Sequence, residues 1–77
     1  MTPADIRMAR ATLGLMWGKG RPLYMSELGR ALGFQGRDQG LTVARWEAGR
    51  HAVPGPARVA INAMLGGYRP LTRLIKP

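Results

Sequence analysis

Apolar residues recur along this chain at intervals of three and four, and no stretch alternates apolar and polar positions long enough to make a strand. That spacing predicts an all-α fold. The first helix is the best punctuated. Thr2 offers a capping hydroxyl, Pro3 suits the first helical position, and Asp5 can complete a capping box while facing the positive end of the helix dipole. A helix is therefore expected from Pro3, with Ile6, Ala9 and Leu13 inward and Arg10 on the same side. Gly14 is placed to end it in a left-handed turn, after which Leu15 would tuck back onto the helix. The glycines and proline of residues 16–23 break helix and strand alike, so a loop is expected there, pinned by Trp17 and Leu23, with Lys19 and Arg21 at its tip.

A short helix over 24–32 follows, with Leu28, Ala31 and Leu32 inward and Gly33 as its stop. The third helix begins after Phe34-Gln35-Gly36-Arg37. Asp38 is its expected N-cap, Val43 and Trp46 its inward pair, and Gly49 its end. Residues 50–53 lead through Pro54-Gly55-Pro56 into a last helix reaching Leu65, where Ala57, Ala60, Ile61 and Met64 form one apolar stripe and Gly66-Gly67 is the stop. The expected architecture is a compact four- to five-helix bundle over residues 1–67. A tail over 68–77, carrying Leu71, Leu74 and Ile75, is either disordered or docked on a partner.

Composition narrows the chemistry. Seventy-seven residues make one domain, and the absence of cysteine excludes disulfides, thiolate metal sites and a cysteine nucleophile. The single histidine, His51, and the single serine, Ser26, leave too little for a catalytic constellation or an imidazole metal centre. The expectation is a non-enzyme with no cofactor and no metal, in which His51 is a loop residue. Met8, Met16, Met25 and Met64 read as gap-fillers or surface residues.

Charge then points to a partner. Twelve Lys and Arg against four Asp and Glu give +8, and ten of the twelve are arginine. Planar guanidinium forks suit phosphates and the guanine edge, so nucleic acid is favoured over an anionic membrane surface. No apolar run approaches a membrane span, and Asp5, Arg7 and Arg10 stand where a signal peptide would be apolar, which predicts a cytoplasmic protein.

Two short helices around a glycine turn, the second amphipathic and basic, form the pattern of a helix-turn-helix. Three segments occur in order: Arg10-x-x-Leu13-Gly14-Leu15, then Ser26-Glu27-Leu28-Gly29-Arg30-Ala31-Leu32-Gly33, then Thr42-Val43-Ala44-Arg45-Trp46-Glu47-Ala48-Gly49. Over about residues 2 to 65 the chain thereby resembles the lambdoid repressor and Cro family of helix-turn-helix regulators, also called the xenobiotic-response-element family. Its Val-x-x-Trp-Glu-x-Gly ending and Pro-Gly-Pro entry are similar to small regulators of phage and mobile elements, including anti-CRISPR-associated autorepressors. The links between Gly14 and Leu28 and between Gly33 and Val43 are longer than the family's.

The resemblance implies a homodimeric transcriptional regulator, a repressor, that binds a palindromic double-stranded DNA operator and lays the helix at about 39–48 into the major groove. Matching positions give Gln39, Thr42 and Arg45 as polar base readers, with Gly40 and Leu41 beside them. Arg37 and Arg50 are the expected phosphate contacts, joined by Lys19 and Arg21 of the basic loop. Arg10 and Glu47 match a structural ion pair between the first helix and the end of the recognition helix. Val59, Ala63 and the Leu71, Leu74, Ile75 tail are the dimerisation candidates. Trp46 could serve as a stacking platform, but its spacing from Val43 assigns it to the core. Two other functions fit parts of the same sequence: a basic RNA-binding or assembly protein, and an antitoxin-like module that binds a protein partner through its tail.

Overall fold

A computed structural model describes residues 1–69 and contains four helices: α1 (Pro3–Met16), α2 (Met25–Ala31), α3 (Asp38–Glu47) and α4 (Gly55–Leu65), with no strand among the described residues. The fold is all-α, as the apolar spacing requires. The capping box at the start of α1 forms as expected. The Asp5 N–H donates to the Thr2 hydroxyl at 3.2 Å, and the Thr2 N–H donates to the Asp5 carboxylate at 2.8 Å. Those two bonds satisfy donors that the first turn otherwise leaves without partners, and they hold the Asp5 carboxyl below its ordinary pKa.

The four helices close alike. After the C-caps Trp17, Leu32, Ala48 and Gly66, the next residue is a glycine with positive φ, and the following N–H reaches back to a carbonyl five residues earlier. These are Schellman closures, which satisfy carbonyls left open at a helix end. Gly33 and Gly49 act as stops where the sequence predicted them.

Gly14 does not. The helix continues through it to Met16, and the left-handed stop is Gly18. Gly14 is buried because the carbonyl of Arg21 lies against it; a Cβ built there would stand 1.8 Å from that oxygen. With α1 running on, Leu15 does not fold back and is 71% exposed. Asp38 is also displaced by one position: it is the first residue of α3, its N-cap is Arg37, and no side chain caps that end. Asp38 still lies in the first turn, where a carboxylate favours the helix dipole.

The core draws on every helix and on the first loop. Ile6, Ala9 and Leu13 of α1 meet Leu23, Leu28 of α2, Val43 and Trp46 of α3, and Ile61 and Met64 of α4. Burying each of the larger aliphatic side chains stabilises the fold by roughly 1.5–3 kcal/mol. Phe34 packs edge-on against Trp46 with ring centroids 6.0 Å apart, which fixes the turn between α2 and α3 to the body of the molecule. That turn can be tight because α2 and α3 touch backbone to backbone. A Cβ at Gly29 would stand 1.5 Å from the Gln39 carbonyl oxygen, and one at Gly40 3.3 Å from the Ser26 nitrogen. Two glycines thus set the angle at which α3 is presented.

Candidate nucleic-acid interface

The placement of α3 rests on a polar joint as well as on its apolar pair. The Arg10 guanidinium pairs with both oxygens of the Glu47 carboxylate, through Nε to Oε2 and through a second nitrogen to Oε1 at 2.8 Å. Its remaining nitrogen donates to the Leu23 carbonyl at 2.8 Å, while the Leu23 N–H donates to the Arg10 carbonyl at 3.0 Å. The side chains are 17% and 6% exposed, so this bidentate pair is shielded from water on most sides. Arg10 and Glu47 therefore join α1, the first loop and the last turn of α3, as the resemblance implies. Arg7 adds a donor to the Glu47 carbonyl at 3.3 Å.

The first loop is organised by a second acid. Arg21 reaches both Glu27 oxygens at 2.8 and 3.3 Å and lies 3.8 Å over the Tyr24 ring, and Lys19 approaches Glu27 at 3.5 Å. The Tyr24 N–H donates to Glu27 at 2.7 Å, so the same carboxylate caps α2. Arg21 beside it, aided by that N–H, lowers the Glu27 pKa to about 2, against a smaller opposing effect of burial. The partnership raises the Arg21 pKa in turn. Lys19 and Arg21 lie in the loop, as expected, and both pair with Glu27 of α2. Charge alone did not reveal this, although the spacing of Tyr24 and Glu27 is that of a cap and its third helical residue.

Glu27 and Glu47 are engaged by these cations and Asp5 by Thr2, while Asp38, the remaining acid, forms no salt bridge, so no acid pairs with Arg37, Arg45 or Arg50 among the described residues. These three arginines follow α3 from end to end. Arg37 immediately precedes it, Arg45 stands exposed in its last turn, and Arg50 lies in the closing turn, where its N–H donates to the Arg45 carbonyl at 2.9 Å. Arg45 and Arg50 border one shallow depression with Leu41, Ala44 and Ala48. The outward surface of α3 is accordingly a narrow apolar strip flanked by guanidinium groups.

The three expected base readers are not equivalent. Arg45 is exposed on that surface, whereas Gln39 and Thr42 are half-buried. Gln39 sits at the contact with α2, its carbonyl against Gly29. Thr42 lines a cavity beside Trp46 that Arg45 also borders. Trp46 itself is buried and packs in the core. Of the dimerisation candidates, Val59 and Ala63 are exposed on α4, whereas Leu71, Leu74 and Ile75 lie outside the described residues. The part of the tail that is described is placed: the Tyr68 N–H closes α4 on the Ala63 carbonyl, and the Arg69 guanidinium lies 5.1 Å from the Trp17 ring centroid. His51 is exposed, and among the described residues no three His, Asp or Glu groups cluster as metal ligands would.

No helix among the described residues is long and apolar enough to cross a membrane. Comparison of the chain with protein-family models, with curated proteins and with solved structures finds no match.

Proposed function

We propose that this chain is a sequence-specific double-stranded DNA-binding protein that represses transcription as a homodimer, with α3 in the major groove. One observation carries the reading: Arg37, Arg45 and Arg50 stand exposed from just before α3 to just after it and have no acid partner among the described residues. A row of free guanidinium groups on a basic chain is costly in self-repulsion unless a polyanion meets it. The helix is held rigidly by Val43, Trp46, the Gly29 contact and the Arg10–Glu47 pair, which suits a fixed aim at base edges.

In this reading Arg45 forks onto a guanine edge and Leu41 meets a thymine methyl. Thr42 and Gln39, being half-buried, contribute from the margin of the contact. Arg37 and Arg50 hold phosphates on either side and set the register. Lys19 and Arg21 add phosphate contacts only by leaving Glu27. A dimer pairing through Val59 and Ala63 of α4 would place two copies of α3 in successive major grooves, about 34 Å apart, and would occlude polymerase.

Selection of bound duplexes from a random pool tests the proposal. The expected result is a palindromic consensus with half-sites one helical turn apart and a two-fold footprint. Equal affinity for the best selected duplex and for random duplex would overturn it.

A further inference from the structure

One flank of the same helix borders a half-open cavity of about 520 Å³ between α3 and the start of α4. Its volume lies within the range of small-molecule sites. Phe34, Trp46, Pro54 and Ala57 supply apolar walls, two of them aromatic, and the polar lining groups are Thr42, Arg45 and His51. No Asp or Glu lines it, and Arg45 has no acid partner among the described residues. An apolar chamber bordered by an uncompensated guanidinium, a hydroxyl and an imidazole complements a flat apolar body with one anionic group. The cation favours a carboxylate by charge, and the bidentate geometry of guanidinium with carboxylate adds direction.

We propose that this cavity is a binding site for a small aromatic carboxylate, held by Arg45 with Thr42 at its rim and by the Phe34–Trp46 wall. The site stands on the cavity alone. Its consequence rests on the DNA-binding reading above: a carboxylate on Arg45 withdraws that guanidinium from the base edge, so the ligand releases the protein from its operator. Arg45 borders both surfaces, which makes the two occupancies exclusive without any change of fold.

The test uses the full chain and 1-naphthoate, with the neutral 1-naphthamide as its isostere, followed by two-dimensional amide NMR. Naphthoate is expected to shift the Trp46 indole N–H and the Thr42 and Ala60 amides saturably, with an affinity at least tenfold above that of the amide. Arg45→Gln, at an exposed position, should remove that tenfold advantage and lower the affinity for the amide far less than that for the acid. Ala57→Leu should crowd the cavity and weaken both. The spectral dispersion of each variant reports whether it is folded, and Arg45→Gln with the amide control keeps the test decisive if Ala57→Leu is not.

Equal binding of acid and amide, shifts confined to other surfaces, or no shift at millimolar naphthoate would each overturn the site. It is likewise overturned if Ala57→Leu dissociates a dimer in sedimentation, because a side chain of a second copy then fills the cavity. Binding only after removal of residues 70–77 would assign the cavity to the chain's own tail and overturn it too. On the DNA side, naphthoate should displace the wild-type protein from its selected duplex with a midpoint that tracks the NMR affinity. Failure to displace a selectively bound duplex overturns the regulatory consequence. Absence of any selective duplex binding overturns the DNA reading and that consequence together, while the ligand site stands or falls on the NMR result.

Discussion

At the scale of single residues, this fold depends on two side chains that are missing and one that is paired. Gly29 and Gly14 are irreplaceable because backbone carbonyls of Gln39 and Arg21 occupy the space of a Cβ, and backbone, unlike a side-chain tip, cannot swing aside. Gly29→Ala is expected to cost about 3 kcal/mol or more, the upper end of what overpacking a tight contact does. Gly55→Ala is the matched control. It lies at the start of α4 with open space around it and no positive φ, so it should gain roughly 0.4–1 kcal/mol through a less flexible unfolded chain. Opposite shifts in the two thermal melts check the argument, and a Gly29→Ala melt overlaying wild type would refute it. Arg10→Met leaves the Glu47 carboxylate without its guanidinium at 6% exposure, which should cost about 3–5 kcal/mol, whereas the same change at exposed Arg58 should be close to neutral in denaturant titration.

At the scale of elements, the first loop and α2 behave as one unit because Glu27 serves both. Its carboxyl, lowered to about 2 in the folded protein, is bound less tightly by protons there than in the unfolded chain, where its pKa is ordinary. The stability it contributes is therefore complete above about pH 4.5 and is lost as the pH falls towards about 2. Glu27→Gln, which retains an acceptor for the Tyr24 N–H but no charge for Arg21, should flatten the stability profile across that window. Denaturant midpoints against pH measure the difference, and parallel profiles would refute the latch. The latch and the helix ends differ in how far they could be read from the sequence. Thr2, Asp5, Gly33 and Gly49 act on neighbours within one turn, so their spacing alone placed the ends of three elements. Gly14 carries the same local signal as Gly33, but its partner is the Arg21 carbonyl across the loop, so the local pattern predicts a stop where the fold has a buried contact, and Leu15 stays exposed. Likewise the excess of cations was plain in the composition, and the Arg10–Glu47 pair followed from a resemblance. Which arginines remain unpaired depends on loop geometry that no spacing encodes.

At the scale of the whole molecule, the pairing of charges divides the basic residues into two sets, and salt dependence tells them apart. A phosphate contact releases counterions, and each one lost flattens the slope of log affinity against log salt by about 0.9 on duplex DNA. Arg37 and Arg50 are free of acids among the described residues and sit at the two ends of α3. In the proposed dimeric DNA complex, Arg37→Ala with Arg50→Ala removes four phosphate contacts and should flatten the slope by about 3.6 while leaving base preference intact. Lys19→Ala with Arg21→Ala deletes charges already answered by Glu27, so it should flatten the slope much less and lower thermal stability more. Arg45→Ala should erase preference at one base pair in each half-site, a discrimination of about 1–3 kcal/mol, with a smaller change in slope. Titrations of the three variants against the selected duplex, a single-base variant of it and a random duplex, each at several salt concentrations, separate these outcomes. If the loop variant flattens the slope as much as the Arg37 and Arg50 pair does, Glu27 releases its cations to DNA, and the first loop belongs to the binding surface rather than to the scaffold behind it.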